Sequence, residues 1–148
     1  MILKELLAAL IVCENNFRVL HWQFKGDQFD SYHKNTTSEY ESMCREQADV
    51  IAEIIARLGG TPLNIAEVVE IIDSSEREYL VVDSSSYYAK EDVIDNSEDM
   101  FKIILNLIEN ALDMDEIAND KSNVGIKSTL ESMHEKFDLQ YRYINKRR

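Results

Sequence analysis

Apolar side chains recur along this chain every three or four residues, which is the spacing of one buried face of an α-helix. The first such stretch, helix A, is predicted to end near Trp22, before a turn at Gly26 and Asp27. Helix B starts after Asp30 and ends at the run Gly59-Gly60-Thr61-Pro62, because a glycine followed by a proline stops a helix. The stripe positions are Leu3, Leu6, Leu7, Leu10, Ile11, Phe17 and Leu20 in helix A, and Tyr40, Met43, Cys44, Gln47, Ile51, Ile54, Ile55 and Leu58 in helix B.

The second half of the chain carries two more long helices. Residues 64–72 can form a short helix, and residues 74–86 are predicted to be irregular. Helix C begins near Ser97 or slightly earlier and stops around Asn119. The apolar positions are Met100, Phe101, Ile104, Leu107, Ile108, Ala111 and Leu112 in helix C, and Ile126, Leu130, Met133, Phe137, Tyr141 and Ile144 in helix D. Four amphipathic helices bury their stripes against one another, so the chain is predicted to be a single all-α, four-helix-bundle domain over residues 1–148.

Composition and charge narrow the range of functions. Four glycines and one proline in 148 residues are too few for a turn-rich sheet protein, which favours long helices. Sixteen basic residues against 28 acidic ones give a net charge of −12. Nonspecific nucleic-acid binding needs Lys and Arg to neutralise phosphates, so this charge opposes it, while the same field attracts metal cations.

The cysteines and the apolar runs indicate a cytoplasmic protein. Cys13 and Cys44 both lie in helical patterns, where reduced, buried thiols are a better interpretation than an isolated disulfide. The apolar run at residues 1–12 is interrupted by Lys4 and Glu5 and lacks the small-residue cleavage site of a signal peptide. No run reaches the roughly 18 apolar residues that a membrane span requires.

Two histidines and two acids form a candidate metal site. Asp49 and Glu53 are four residues apart, which puts both carboxylates on one face of helix B. Their neighbours in sequence are apolar, and acids in apolar surroundings are costly unless they are paired or bound to a metal. His21 at the end of helix A and His33 at the start of helix B add nitrogen ligands, and the mixed set suits iron, manganese or zinc.

These residues lie in two stretches that resemble the Dps miniferritins. The first reads NNFRVLHWQFKG over residues 15–26 and is followed by Phe29 and His33, and the second reads DVIAEIIARLGGTP over residues 49–62. The Dps pattern is HWxxxGxxF, with a second histidine twelve residues after the first, and then DxxAExxxxxxG(G)xP at the end of helix B. The resemblance is specific across residues 15–62, and the helix order agrees over most of the rest.

The resemblance implies a ferritin-like four-helix bundle with a short helix in the B–C connection. It also implies a hollow dodecamer that oxidises ferrous iron with peroxide or oxygen and stores the ferric mineral. His21 and His33 would be ligands from one subunit, and Asp49 and Glu53 would come from its two-fold partner, with Trp22 beside the site. His21, Asp49 and Glu53 are then the residues expected to carry a ferroxidase activity. Iron is the expected metal, with other divalent metals as alternatives at the same site.

The chain departs from the Dps pattern in three ways. The step from His33 to Asp49 is sixteen residues where the family has fifteen, and one extra residue in an α-helix rotates everything beyond it by about 100°. Either the start of helix B differs, or His33 points away from the site. The family's further acid, four residues after the second histidine, is Thr37 here, and the lysine-rich arm is missing, since Lys4 is the only basic residue before Arg18.

Three alternatives stay open. A Glu-x-x-His pair on helix D could form an in-bundle di-iron centre with acids of the other helices. The residues concerned are Glu131 and His134, with Glu14, Glu46, Asp49 and Glu109. The bundle could instead have lost the ferroxidase and act as a structural or interaction protein, which the departures at His33 and Thr37 favour. DNA binding is disfavoured, because the four positive charges of residues 142–148 are also what the dipole of a helix end attracts.

Overall fold

The fold consists of helices joined by turns. The computed structural model describes residues 2–75, 81–119 and 121–147. Its α-helices are α1 (Ile2–Gln23), α2 (Thr37–Arg57), α3 (Ile65–Ser74), α4 (Lys90–Leu112), α5 (Asp115–Ala118) and α6 (Val124–Asn145). A π-helix over Asp30–Thr36 runs directly into α2, and a 3-10 turn over Lys121–Asn123 precedes α6. The four long helices confirm the predicted all-α bundle, and none of the described helices has the length and apolar character to cross a lipid bilayer.

The four long helices meet around a cluster of aromatic rings. The ring centroid of Phe17 in α1 lies 5.3 Å from that of Tyr40 in α2 and 5.8 Å from that of Phe101 in α4. Phe101 is also 5.0 Å from Tyr40 and 5.8 Å from Phe137 in α6. Each long helix therefore contributes one ring, in the edge-on or tilted geometries that aromatic pairs favour.

The predicted limits of helix C differ from those of the structure. The prediction runs from near Ser97 to about Asn119, whereas the corresponding helix, α4, starts and ends earlier. Its start is stabilised by Asp92, whose carboxylate accepts a hydrogen bond from the Ala89 N–H at 2.8 Å. Such a bond satisfies a backbone group that has no partner within the helix. The apolar pattern misses this start because a polar side chain defines it.

The short helix predicted over residues 64–72 is confirmed as α3. Asn64 Oδ1 accepts a hydrogen bond from the Glu67 N–H at 2.9 Å, and Glu67 Oε1 accepts one from the Asn64 N–H at 3.2 Å. This reciprocal pair is a capping box, which fixes the first turn of a helix. Within the irregular segment predicted over residues 74–86, positions 76–80 lie outside the described residues, and positions 81–86 form turns and bends.

The connection that leads into α4 runs along α1. The Val82 N–H donates to Oδ1 of the fully buried Asn16 at 3.0 Å. Further along, the Tyr88 N–H donates to Gln23 O at 3.0 Å, and the Lys25 N–H donates to Tyr88 O at 2.8 Å. These bonds hold the C-terminal end of α1 against the start of α4, where the chain turns toward the π-helix.

Both cysteines are free thiols inside the bundle, which confirms the predicted reduced and buried state. Burial raises the pKa of Cys13 from 9.0 to about 12, because the apolar interior disfavours a thiolate. Burial also raises the pKa of Cys44, and the charges of Cys13, Glu14 and Glu41 act in the same direction. Both thiols therefore stay protonated at neutral pH and pack as small apolar residues.

The aromatic cluster predicts a large cost for losing its central ring. Phe101→Ala should lower the free energy of unfolding by about 3–5 kcal/mol, because it removes contacts with three rings and leaves a cavity. Denaturant unfolding followed by circular dichroism, at one fixed protein concentration, measures the change. Tyr143→Ala is the control, since this ring is exposed and its loss should cost less than about 0.5 kcal/mol. Equal losses in the two variants would show that the cluster does not hold the bundle.

The buried Cys13 thiol predicts a loss of stability at alkaline pH. Its pKa is about 12 in the folded protein against 9.0 when exposed, so between these values the unfolded chain releases a proton that the folded chain keeps. The stabilising contribution is complete below pH 9.0 and declines as the pH rises toward 12. The slope reaches about 1.4 kcal/mol per pH unit. Denaturant unfolding across this range should give a flatter pH dependence for Cys13→Ala, and parallel curves would contradict the assignment.

Candidate metal centre

The first residues of the predicted helix B form a π-helix. The Thr37 N–H donates to Tyr32 O, five residues earlier, and the Thr37 hydroxyl donates to the same oxygen at 2.7 Å. A π-helix closes its hydrogen bonds over one more residue than an α-helix does. The extra residue between His33 and Asp49 is therefore taken up before α2 begins. Of the two outcomes left open by the sequence, the structure has the altered start of helix B.

His21 and His33 lie face to face across the turn. Their ring centroids are 4.1 Å apart, and the ring planes are inclined by 17°. His33 Nδ1 donates to the backbone oxygen of His21 at 2.7 Å, and His21 Nδ1 donates to the backbone oxygen of His33. Because a carbonyl oxygen only accepts, both Nδ1 atoms carry a hydrogen, and Nε2 of each neutral ring keeps its lone pair. Neither Nε2 atom is hydrogen-bonded within residues 2–75, 81–119 and 121–147, so both can bind a metal.

The ring of Phe29 covers the other face of His33. The two ring centroids are 4.3 Å apart with an interplanar angle of 15°. The ring centroid of Phe24 lies 6.0 Å from that of Phe29 and 5.7 Å from that of the buried Tyr32. These contacts anchor the stack to the bundle. The turn that leads to Phe29 contains Gly26 at a φ of +115°, a conformation that side chains other than glycine rarely adopt. His33 is thus held between an imidazole and a phenyl ring.

A hydroxyl group occupies the position of the further acid in the Dps pattern. Counted forward from His33, this position is Thr37. In the Dps pattern the further acid follows the second histidine by four residues, and the aspartate follows that histidine by fifteen, so the acid precedes the aspartate by eleven. Counted back from Asp49, this position is Ser38. Thr37 Oγ1 lies 2.8 Å from His33 O, whereas Ser38 Oγ lies 3.2 Å from His21 Nδ1. The π-helix therefore moves the position to Ser38, and neither candidate carries a charge.

Asp49 and Glu53 lie on the exposed face of α2, away from the histidines of the same chain. Ser38 beside His21 and Asp49 are eleven residues apart on one helix, which corresponds to about 16 Å along its axis. The prediction that these two acids have apolar surroundings is wrong. Their neighbours Ile51 and Ile54 are buried on a different face of α2, and both carboxylates are exposed. No group of three His, Cys, Asp or Glu side chains suited to a metal forms within the described part of the chain.

An open groove of about 470 Å³ runs beside Asp49. It lies between α1 and α2, and its lining combines apolar and charged side chains. Its lining includes Leu7, Ile11 and Glu14 of α1 and Arg45 of α2. Trp22, next to His21 at the end of α1, is 66% exposed. Ile65 and Val69, with relative exposures of 71% and 53%, line a neighbouring groove together with Ile11 and Glu14. This face has the mixed character of a surface that a partner covers.

The in-bundle di-iron arrangement is not formed. Glu131 is exposed, and His134 Nε2 is 3.0 Å from Oε1 of Glu109 at the surface between α4 and α6. Glu14 pairs with Arg18 at 3.3 Å instead of pointing into the interior. The space between the four helices is filled by the aromatic cluster. His134 of the Glu-x-x-His spacing therefore contacts Glu109 of α4 at the surface, and it does not form a metal site with Glu131 within the described residues.

Comparison with known proteins agrees with this geometry. The model of the ferritin-like domain family matches residues 2–132. The chain belongs to the ferritin-like domain family. A ferritin-like bundle is therefore the setting of the π-helix, the stacked histidines and the separated acids.

One relative and several solved structures that are similar to this chain are Dps proteins. The DNA protection during starvation protein of Agrobacterium fabrum is 28% identical over 125 residues, which cover 84% of this chain and 74% of that protein. The crystal structure of Dps from Staphylococcus aureus has a TM-score of 0.79 at 22% identity, covering 98% of this chain and 91% of that one. Dps from Vibrio cholerae O1 has a TM-score of 0.79 at 20% identity, covering 97% and 84%. A divergent Dps-like miniferritin fits these findings.

Replacing the glycine of the turn before the stacked rings should have the opposite effect to replacing a glycine in a helix. Gly26→Ala should destabilise the protein by about 1 kcal/mol or more, because alanine is strained at a positive φ. Gly125 lies in α6 with open space around it, so Gly125→Ala should be neutral or stabilising by up to about 1 kcal/mol. Thermal unfolding of both variants under one set of conditions measures the difference. A Gly26→Ala variant as stable as Gly125→Ala would contradict the turn geometry.

Proposed function

We propose that this protein is a miniferritin that oxidises ferrous iron, with oxygen or peroxide as oxidant, at a centre shared by two subunits. His21 and His33 of one subunit bind the iron together with Asp49 and Glu53 of its two-fold partner. The observation that carries the proposal is the reciprocal pair of bonds from Nδ1 to backbone oxygen, which leaves the Nε2 lone pair of each histidine available.

The stacked geometry favours one iron per histidine. A ring nitrogen binds a metal along its lone pair, in the plane of the ring, at about 2.0–2.1 Å in the case of zinc. The two ring planes are inclined by only 17°, and the centroids are 4.1 Å apart. Planes so nearly parallel intersect far beyond the reach of such a bond, so one ion cannot lie in both. Two ions side by side fit the pair, and two-metal sites have separations of about 3.5–4 Å.

The acids of a partner complete the ligand set. A site with two nitrogen and two carboxylate ligands suits ferrous iron, and one chain supplies these two halves at separate places. In a two-fold dimer each contact occurs twice, so the histidines of either subunit can meet the acids of the other. The exposure of Asp49, of Glu53 and of Trp22 supports this arrangement, because all three are then available to an interface.

Each protein group has a separate task in this centre. The carboxylates of Asp49 and Glu53 neutralise the charge of the iron and stabilise the ferric product more than the ferrous substrate, because attraction grows with charge. The backbone oxygens that accept from Nδ1 keep both imidazoles in one tautomer. The ring of Phe29, which is stacked on His33, excludes water from one face of this imidazole. Oxidation by oxygen or peroxide consumes the electrons that ferrous iron gives up.

Storage and location follow from the same proposal. We infer a homo-oligomeric shell, a dodecamer by resemblance to the Dps proteins, that holds the ferric mineral in the cytoplasm. The net charge of −12 on each chain favours iron entering such a shell. Protection of DNA, which the name of the Agrobacterium relative mentions, would come from removing iron and peroxide and not from binding DNA. Two of the basic residues of the 142–148 segment support this, because Arg142 pairs with Asp138 and Arg147 binds Thr36.

The second candidate function is a bundle without ferroxidase activity. The π-helix removes one of its two supports, since it brings His33 to His21 despite the longer spacing. The uncharged Ser38 and Thr37 at the position of the further acid remain in its favour.

Mixing two inactive variants tests the shared centre. His21→Ala/His33→Ala and Asp49→Ala/Glu53→Ala should each lose the acceleration of ferrous oxidation over buffer. Co-expressed in equal amounts and randomly paired, they should recover about a quarter of the native rate, because half of the dimers are mixed and each has one intact centre of two. Near-ultraviolet absorbance of the ferric product measures the rate after aerobic addition of ferrous iron.

Assembly and a surface histidine provide the controls. Light scattering should give the same oligomer mass for the native protein, both variants and the mixture. His134→Ala should keep the native rate, because this histidine contacts Glu109 at the surface, away from the proposed centre. An inactive mixture of correctly assembled variants would exclude the shared centre. A native protein that does not accelerate iron oxidation would favour the second candidate.

A further inference from the structure

Arg147 joins the end of α6 to the π-helix. Its Nη1 donates to Thr36 Oγ1 at 2.6 Å, and its guanidinium carbon lies 5.3 Å from the centroid of the Tyr32 ring. Both partners are only 2% exposed, so the arginine reaches them from the surface. In the sequence, the basic residues of the 142–148 segment are explained by attraction to the dipole at the end of a helix. Arg147 has in addition two specific partners, which lie 111 and 115 residues earlier in the chain.

The two partners of Arg147 are residues that shape the π-helix. The Thr36 hydroxyl donates to Ser31 O at 3.0 Å, a bond that spans five residues. Tyr32 O accepts both the N–H and the hydroxyl of Thr37. Arg147 therefore contacts the segment on both sides of His33 in the sequence, one residue before it and three residues after it.

A π-helix needs such external contacts. It is rare and occurs mostly as a single turn within α-helices, because its hydrogen bonds and packing are poorer than those of an α-helix. Reversion to an α-helical turn would rotate His33 relative to α2 by about 100°. A guanidinium opposes this reversion in two ways, by a charge-assisted hydrogen bond to a hydroxyl and by a cation–π contact.

The electrostatic influence of Arg147 extends beyond these two contacts. Burial raises the pKa of Tyr40 to about 12, and the charge of Arg147 acts in the opposite direction. The guanidinium therefore lies close enough to influence a phenol of the aromatic cluster in α2. Its two direct contacts, with Tyr32 and Thr36, lie in the π-helix that contains His33 and runs directly into α2.

We propose that Arg147 is a positioning residue for His33. It holds the π-helix in register, so that His33 Nδ1 stays bonded to His21 O and His33 Nε2 stays free. This positioning role rests only on the contacts of Arg147 with Thr36 and Tyr32, and it is independent of the proposed function. Only the consequence for iron binding rests on the proposed function.

The tautomer of His33 provides a direct test. The native, metal-free protein, labelled with ring-15N histidine and sedimented for magic-angle-spinning NMR, should show His33 as one tautomer with the hydrogen on Nδ1. Arg147→Ala should add a second tautomer signal for His33 and leave His134 unchanged. The ferrous concentration that gives half of the maximal oxidation rate should rise by about tenfold, with a smaller change in the maximal rate.

Three further variants separate positioning from general effects. Lys146→Ala removes the neighbouring exposed cation and should behave as the native protein. Arg147→Lys keeps a donor for Thr36 but not the planar group over Tyr32, so it should recover part of the native His33 signal. Thr36→Val removes the acceptor of Arg147 and also the donor to Ser31 O, so combining it with Arg147→Ala should change the His33 signal by less than the sum of the two single effects.

Each outcome decides the role of Arg147. If Arg147→Ala keeps His33 in one tautomer, the proposal is wrong even where iron oxidation is lost. If Lys146→Ala changes the His33 signal equally, the effect is one of net charge and the proposal is also wrong. If the native protein oxidises no iron, the proposed function fails, while the tautomer comparison still tests the positioning of His33.

Discussion

The exchange of hydrogen bonds between two imidazoles and two backbone carbonyls is the constraint on which the candidate centre depends. His21 can donate to the backbone of His33, and His33 to that of His21, only if the end of α1 and the start of helix B face each other in one register. The intervening turn must reverse the chain within a few residues, which the positive φ of Gly26 permits. The bonds of Tyr88 to the end of α1 fix the other side. Much of this end of the bundle therefore acts as a support for two ring orientations.

The sequence predicts those features that burial alone determines. Most stripe positions of helices A, B and D are buried, because a helix that packs on one face must repeat its apolar residues at helical spacing. The others, Ile11, Met43, Leu58 and Tyr141, are half-buried and pack against the core. The spacing of sixteen residues between His33 and Asp49 indicates an extra residue, but it does not show where the chain takes it up. That choice depends on hydrogen bonds of Thr36 and Thr37 and on Arg147, which is more than one hundred residues away in sequence. Local patterns contain no information on such a contact.

The error over Asp49 and Glu53 has a simple geometric cause. Neighbours in sequence point in different directions on a helix, so the isoleucines around these acids are buried while the acids remain hydrated. In an isolated chain these carboxylates stay hydrated, so folding involves no desolvation penalty for them. Their cost arises when a partner covers them, and a bound cation then offsets it. The candidate ligands could be named from the sequence, whereas their environment could not.

The separation of the histidines from the acids has a consequence for the order of events after synthesis. Under the proposed function, a single folded chain has half of the ligands at each of two places, and neither half is a complete centre. Iron chemistry then begins only when folded chains pair, so its onset depends on the square of the concentration of folded chains. In that case a single newly made subunit oxidises no iron, because oxidation starts only where a container for the product is already being assembled.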